Sequence, residues 1–182
     1  MRVVAERIPS TRQRSWEDRI AIRFPRAYRL IAWMMWRLFS ALPAGHAVRR
    51  QIARRFVSRS YGAFNRNDLG ALLPLYHPGC IWDWSGFEGW PDDPILRGPE
   101  GLRRGWLLFR EAWDDFEVIP SEFRDCGDRL MGTCHMTVTG GGSGVGLETT
   151  WWQVIELRDG LITRVANYTD RAEALKTAGV SV

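Results

Sequence analysis

The sequence predicts an α+β fold in which helices lie on one face of an antiparallel sheet. Apart from one short strand, apolar residues recur at helical spacing as far as Trp113, whereas beyond Asp115 they alternate with polar residues. A run of helices followed by a run of consecutive strands favours α+β over an alternating α/β fold. At 182 residues the chain is long enough for one hydrophobic core with a segment appended to it.

The first 50 residues predict a basic helical extension, and residues 51–182 predict the main domain. The extension contains 11 of the 25 basic residues but only 3 of the 21 acidic ones, so its net charge is +8 and that of the remainder is −4. Every basic residue except Lys176 is an arginine. The basicity of the chain is therefore a property of the extension.

Within the extension a helix is predicted over residues 26–42, where Pro43 and Gly45 end it. Its arginines form one narrow stripe, and apolar side chains cover the rest of its circumference. One interpretation is an interfacial helix that contacts anionic lipid headgroups through residues 26–42. We favour the other, a helix packed on the main domain or a second subunit, because interfacial helices usually have a broader polar face. Nucleic acid is not an expected partner, since no recognised binding motif accompanies the arginines.

The main domain begins with helices and one strand. Apolar residues at helical spacing predict a helix over 51–65, and Asp68 is a good N-cap for a short second helix. Residues 80–84 predict a strand, and the Gly- and Pro-rich segment 85–98 predicts a loop. Pro99 suits the first turn of a third helix. The apolar face of that helix comprises Leu102, Trp106, Phe109 and Trp113.

Four further strands follow from the period-two alternation after Asp115. They are predicted over residues 116–125, 129–139, 148–157 and 161–169. A Gly-rich loop joins the second of these to the third, and Asp159-Gly160 is a typical tight turn between the third and the fourth. The last three strands should therefore form an antiparallel meander.

Four segments in this order resemble the SnoaL-like polyketide cyclase family of the ketosteroid-isomerase-like, nuclear transport factor 2-like superfamily. The segments are YGAFNRNDLGALLPLYHP, RGPEGLRRGW, ELRDGLITRV and NYTDRAEALKTAG. The resemblance spans about residues 51–179. It implies a cone in which a strongly curved sheet wraps around the helices and leaves a pocket at the open end. Members are cyclases, isomerases, hydrolases, dehydratases or non-catalytic ligand binders and are frequently dimeric, so we expect a homodimer.

The resemblance also shows which residues of this sequence align with the catalytic residues of the family. The isomerase base aligns with Trp84, the cyclase acid/base with Asn167, and its polar partner with Gln153. Because indole and amide groups cannot take a proton near neutral pH, the inherited carboxylates are replaced. Asp83 and His135 are the remaining weak catalytic candidates. Each lies on the strand face that should point away from the cavity, so each would need a bulge to reach it.

Aromatic side chains predict the character of the pocket. Those expected to bind a ligand are Tyr61, Trp84, Trp106, Trp113 and Trp151, and in addition Phe87 and Trp90 of the 85–98 loop could cover the mouth. Such walls suit a hydrophobic polycyclic, aromatic or terpenoid-like molecule. Gln153 and Asn167 would orient its polar end, or alternatively would satisfy each other by a mutual hydrogen bond.

No metal, cofactor or disulfide is predicted. Cys80, Cys126 and Cys134 form no Cys-x-x-Cys pair, and His77 with Cys80 does not supply the three or four ligands of a zinc site. The N-terminus lacks the apolar core of a secretory signal, so a cytoplasmic protein is expected, peripheral at a membrane if the basic helix contacts one.

Three functional hypotheses follow. The first is a small-molecule-binding protein with a tryptophan-rich apolar pocket. The second is an acid/base enzyme of the cyclase or isomerase type, acting on a carbonyl substrate through Asp83 or His135. The third is an interaction module that the basic helix attaches to a membrane or a partner subunit.

Overall fold

The described residues form six α-helices, one short 3-10 helix (Leu73–Leu75) and one six-stranded sheet. The computed structural model describes residues 13–88, 90, 93–140 and 146–180. The helices are α1 (Trp16–Arg23), α2 (Pro25–Ala41), α3 (Ala47–Asn65), α4 (Leu69–Leu72), α5 (Gly98–Ala112) and α6 (Arg171–Ala178). The strands are β1 (Tyr76–Gly86), β2 (Ile95–Arg97), β3 (Trp113–Asp125), β4 (Arg129–Gly140), β5 (Gly146–Arg158) and β6 (Leu161–Tyr168).

The strands form an open curved sheet in the order β2-β1-β6-β5-β4-β3, and the α+β prediction is confirmed. The meander β3-β4-β5-β6 is antiparallel throughout. One pair differs from the antiparallel expectation, because β1 runs parallel to β6 with Trp82 opposite Val165. Between β1 and the meander the chain passes through β2 and α5 to β3 at the far edge of the sheet, and the meander then returns to β1 through β6.

The two faces of the sheet have different partners. On the inner face, Trp82 and Trp84 of β1 and Val165 of β6 are buried in the main core with residues of α3 and α5. On the outer face, Met131 and Val154 form a small second cluster with α6. This alternation follows from the period-two geometry of strands, and it decides which side chains can reach the interior of the cone.

Several boundaries differ from those predicted. Trp113 is the first residue of β3 and not part of the third helix, and the predicted loop 85–98 contains the short strand β2. The chosen division between residues 50 and 51 falls inside α3, which begins at Ala47. Residues 141–145 of the Gly-rich connection between β4 and β5 lie outside the described residues.

Ion pairs attach α1 to the main domain. Asp18, which is 1% exposed, accepts hydrogen bonds from Arg59 at 3.0 Å and Arg66 at 3.2 Å. Glu17 accepts one from Arg55 at 2.5 Å. Ser15 caps the helix by accepting from the backbone N–H of Asp18, whose carboxylate accepts from the Ser15 backbone in return. Both acidic residues of the helix are therefore turned inward.

Helix α2 packs through a narrow strip. Tyr28, Ala32 and Phe39 are buried, and the guanidinium of Arg49 lies over the Phe39 ring and donates to the Phe39 carbonyl oxygen. The backbone of Ala32 contacts Gly160 in the β5–β6 turn. The helix thus rests on the main domain while most of its circumference faces outward. No helix in the part of the chain that the structure describes is long and apolar enough to span a membrane.

Candidate functional site

A network of hydrogen-bonded polar side chains lies inside the cone. Asn167 Oδ1 accepts from Gln153 Nε2 at 2.8 Å and from Trp151 Nε1 at 3.0 Å, while Asn167 Nδ2 donates to the Asp83 carbonyl oxygen at 3.1 Å. Tyr61 donates to Gln153 Oε1 at 2.5 Å. The structure therefore brings together four of the residues predicted to bind a ligand, Tyr61, Trp151, Gln153 and Asn167, and the two amides bond to each other.

The hydrogen-bonded side chains inside the cone are poor proton acceptors and nucleophiles near neutral pH. Burial raises the pKa of Tyr61 well above its ordinary value, and the neighbouring Cys134 raises it further. Burial also raises the pKa of the Cys134 thiol to about 12. The Tyr61 oxygen and the Cys134 sulfur lie 2.9 Å apart, and both stay protonated. These side chains therefore form hydrogen bonds but do not ionise near neutral pH.

The space left inside the cone is small. A cavity of about 30 Å³ lies beside Tyr61 and Gln153, enough for about one water molecule. Its remaining wall is mostly apolar, with Trp82, Trp84 and Phe109 among its members. The Trp82 ring stacks on Phe109 with centroids 6.2 Å apart. The large interior pocket that the resemblance implies is thus occupied by the protein's own aromatic rings.

A larger cavity, of about 520 Å³, opens at the mouth of the cone. It will be called the mouth cavity. Its lining residues are Trp84, Phe87, Glu88, Trp90, Leu108, Phe109, Trp113, Met136, Leu147, Thr149, Trp151 and Thr169. Trp90 stacks on Trp84 with centroids 4.4 Å apart and an interplanar angle of 11°. Phe87 and Trp90, from the loop predicted to cover the mouth, contribute to its wall.

Trp84 carries an unsatisfied donor. Its side chain is 2% exposed, and its indole N–H has no acceptor among the residues that the structure describes. By contrast, Trp106 donates to Asn67 Oδ1 at 2.7 Å, and Trp151 donates to Asn167. Because a buried donor without an acceptor costs about 1–3 kcal/mol, the Trp84 N–H is an unusual feature of a ring that lines both cavities.

Glu88 is a lining residue that the sequence did not single out. Its side chain is exposed at the rim of the mouth cavity, in the loop after β1. The hydroxyls of Thr149 and Thr169 are the other polar side chains of the lining. The position of Glu88 beside Phe87, in a loop already expected to border the mouth, was the signal that could have identified it.

The two weak catalytic candidates lie on the outer face of the sheet. Asp83 accepts hydrogen bonds from Ser85 and, at 2.6 Å, from Arg164. Burial alone would raise the pKa of Asp83, but these bonds outweigh burial and lower it. His135 Nε2 lies 2.9 Å from Ser121 Oγ. Neither residue lines the small interior cavity or the mouth cavity.

Trp106 and Trp113, two further residues predicted to bind the ligand, lie in different parts of the structure. Trp113 lines the mouth cavity although it lies on β3 and not on a helix. Trp106 lines neither the interior nor the mouth cavity, because its ring packs edge-on against Phe64 in the core. The helical face predicted to carry both residues ends at Ala112. Asn167 also lines neither cavity and acts through its neighbours.

A third cavity, of about 350 Å³, lies between the extension and the main domain. Its wall is almost wholly apolar and includes Ile31, Met35 and Trp36 of α2 and Ile52 and Phe56 of α3. Within the described part of the chain, no group of three or more His, Cys, Asp or Glu side chains is placed to hold a metal ion.

Comparison with protein families decides the family. A model of the SnoaL-like domain matches residues 57–165, more than half of the chain. The chain belongs to the SnoaL-like domain family. The resemblance inferred from the four sequence segments is thereby confirmed. No curated protein gives a significant match to this SnoaL-like chain.

Solved structures with the same fold share little sequence with this SnoaL-like chain. TerC, co-crystallised with polyporic acid, is 20% identical, with a TM-score of 0.57 over 69% of this chain and 96% of TerC. A nuclear transport factor 2-like protein of unknown function from Burkholderia pseudomallei is 21% identical, with a TM-score of 0.57 over 67% and 93% of the two chains. A protein described as a SnoaL-like polyketide cyclase from Jannaschia sp. is 17% identical, with a TM-score of 0.54 over 68% and 88%. At these identities the likeness shows the fold alone.

Proposed function

We propose that this SnoaL-like protein binds a flat hydrophobic small molecule in the mouth cavity. The observation that carries the proposal is the buried Trp84 indole N–H, which has no acceptor among the described residues and belongs to a ring that lines both the mouth cavity and the small interior cavity. The ligand is an aromatic, polycyclic or terpenoid-like molecule with a carbonyl or hydroxyl oxygen that accepts from Trp84. We expect the chain to act as a homodimer, as members of the family frequently do.

The size and lining of the cavity support this choice. Its volume of about 520 Å³ lies within the usual range of about 300–1,000 Å³ for small-molecule sites. Rings of Phe87, Trp90 and Trp151 supply flat apolar walls, against which another ring system packs favourably. Thr149 and Thr169 supply the few polar groups that orient a ligand in such sites.

Ligand entry involves the aromatic loop. The Trp84 N–H is shielded from solvent in this conformation, so a ligand oxygen reaches it only when a neighbouring side chain moves. Trp90 is the neighbour whose ring already stacks on Trp84, and it belongs to a loop at the rim. We infer that the ligand's ring takes the stacking position of Trp90 on Trp84.

A second candidate function is acid/base catalysis on a carbonyl compound held in the same cavity. Of the described residues that line the mouth cavity, Glu88 is the only one with a carboxyl or imidazole group. A proton transfer would therefore use Glu88, and not Asp83 or His135. Replacing Glu88 with Gln would abolish turnover of a bound carbonyl compound and would leave its binding within a few-fold, which separates this candidate from simple binding.

A thermal-shift screen tests the binding proposal. Steroids, aromatic polyketides, terpenoids and polyporic acid are added to the full chain, and a ligand that binds the native state raises the melting temperature by mass action. Trp84→Phe keeps an aromatic ring but removes the N–H, so the affinity for a positive ligand should fall about tenfold. Trp106→Phe is the matched control, because Trp106 is equally buried but lines neither cavity.

Two results would contradict the proposal. One is the absence of a shift with every compound class. The other is a ligand whose affinity is unchanged in Trp84→Phe, or is lowered equally by Trp106→Phe.

A further inference from the structure

The exposed apolar surface of the protein is concentrated in the extension. Nine of the eleven large hydrophobic side chains that are exposed among the described residues lie between residues 16 and 48. They are Trp16, Ile22, Phe24, Leu30, Trp33, Met34, Met35, Leu38 and Val48. Outside the extension only Leu107 and Leu147 belong to this group in the described chain. Such a concentration marks a surface that contacts something apolar.

Helix α2 arranges part of this surface in a regular line. Leu30, Met34 and Leu38 are 58%, 49% and 45% exposed, and their spacing of four residues places them along one side of the helix. The buried strip that contains Tyr28 and Phe39 lies on the other side. The apolar line is therefore turned away from the main domain, with no partner in the described chain.

Arginines form a second line beside the apolar one. Arg26, Arg29 and Arg37 are exposed on α2, and Trp33 lies among them with the Arg37 guanidinium 5.8 Å from its ring centroid. Tryptophan and arginine next to an apolar line are typical of helices that lie at the boundary between lipid headgroups and acyl chains.

The outward charge of the extension is entirely positive among its described residues. The acidic side chains there, Glu17 and Asp18, are both buried and paired with Arg55 and with Arg59 and Arg66. On α1, Arg19 and Arg23 are exposed and add to the charge of α2. Folding thus removes the negative charges from the surface and leaves arginine alone around the apolar line.

We propose that the outward face of α2 binds the surface of an anionic lipid bilayer, with the helix lying in the plane of the interface. The apolar line Leu30, Met34 and Leu38 enters the headgroup boundary, and the arginines pair with anionic headgroups. The apolar cavity of about 350 Å³ borders this face through Ile31 and Met35 and extends the apolar surface. This attachment is independent of the ligand proposed for the mouth cavity.

A second copy of the chain is the less suitable occupant of this face. A symmetric dimer through α2 would bring two arginine lines against each other, and in the described extension no exposed carboxylate is present to neutralise them. Anionic headgroups supply the negative charge that a second copy lacks.

Co-sedimentation of the full chain with vesicles tests the proposal. Binding is measured to phosphatidylcholine vesicles with and without phosphatidylglycerol, at low and high salt. Binding should be at least tenfold stronger to the anionic vesicles, and high salt should weaken it. A variant with Leu30→Ser, Met34→Ser and Leu38→Ser should lose most of this binding. The variant Arg26→Gln, Arg29→Gln and Arg37→Gln should lose the preference for phosphatidylglycerol.

The control is Leu107→Ser, which removes an equally exposed leucine from α5 and should leave vesicle binding unchanged. Melting temperatures of the variants should stay near that of the wild type, since the replaced side chains are exposed. Equal binding to both vesicle types, or binding that the leucine and methionine substitutions leave intact, overturns the proposal. So does a dimer in light scattering that only the α2 substitutions dissociate, because a second copy would then be the occupant.

Discussion

Asn167 lies at the centre of the polar interior, and its hydrogen bonds explain why an amide suits this position. Its oxygen accepts two hydrogen bonds, from Trp151 and Gln153, and its nitrogen donates to the Asp83 carbonyl oxygen. An ionised aspartate could not make the third bond and would place a buried negative charge against that carbonyl. The amide therefore holds β1, β5 and β6 together in place of a proton-transferring group.

Tyr61→Phe tests this network at a single atom. The substitution leaves Gln153 Oε1 without its donor inside the cone, so the free energy of unfolding should fall by about 1–3 kcal/mol. Urea denaturation measures the change. Tyr76→Phe is the matched control, because Tyr76 lines the same small cavity and its hydroxyl makes no hydrogen bond among the described residues. An equal loss in both variants would show that the Tyr61 bond contributes nothing specific.

At the residue scale the sequence predicted neighbours better than roles. Gln153 and Asn167 meet on neighbouring strands because strand register follows from local periodicity, whereas the contact of Tyr61 with Gln153 was not predicted. Whether they face a ligand or one another depends on how much room the surrounding rings leave. Glu88 was missed for a related reason, since an exposed loop residue has no periodic pattern that assigns it to a wall.

At the element scale, the β5–β6 turn supports helix α2. Asp159 and Gly160 both have positive φ, 51° and 77°, as the tight turn predicted from Asp-Gly requires. A Cβ at position 160 would lie 2.2 Å from the Ala32 carbonyl oxygen. Two reasons therefore require glycine at this position: the positive φ of the turn and the close approach of the helix.

Gly160→Ala should destabilise the protein and displace α2. The positive φ alone costs about 1–2 kcal/mol, and the contact with Ala32 should add about 1–3 kcal/mol. Gly45→Ala isolates the first cost, because Gly45 also has a positive φ but a Cβ there would meet no atom within 4 Å. Urea denaturation gives the stabilities, and proteolysis of the 43–46 connection reports displacement of the helix. Equal losses in the two variants would exclude the α2 contact.

The element boundaries show where local pattern is sufficient. The predicted strands 129–139, 148–157 and 161–169 agree with β4, β5 and β6 to within two residues at each end. The third helix was extended too far because Trp113 continues its apolar face, although the chain turns there into β3. Strand β2 was not predicted because it has only three residues, at the end of a Gly- and Pro-rich segment, and it pairs with β1 alone.

At the scale of the whole molecule, the extension is joined to the cone by buried charge. Asp18 is 1% exposed and accepts from Arg59 and Arg66, two residues of the main domain by the predicted division. The net charge of the extension suggested a separate unit, but both of its described acidic residues, and its basic residues Arg14 and Arg49, form ion pairs with the cone. The extension and the cone should therefore unfold in one cooperative transition.

Asp18→Asn tests this coupling. Removal of one partner from a buried ion pair leaves Arg59 with an uncompensated charge, so the free energy of unfolding should fall by about 3–5 kcal/mol. Glu100→Gln is the control, because Glu100 is 89% exposed and its pair with Arg103 should contribute less than about 1 kcal/mol. A change below about 1 kcal/mol in Asp18→Asn, or two separate unfolding transitions, would contradict the coupling.

The amino-acid sequence alone determined the family, the meander and the division of charge, because periodicity and turn residues act over a few neighbouring positions. Only the tertiary structure decided what the tryptophans do. Trp82, Trp84 and Trp106 come from β1 and α5, and their packing with Phe64 and Phe109 leaves about 30 Å³ inside the cone. That filling moves the larger cavity to the mouth and leaves the Trp84 N–H without an acceptor. The filling of the cone depends on contacts between aromatic rings that are distant in sequence, and a local sequence pattern does not predict such contacts.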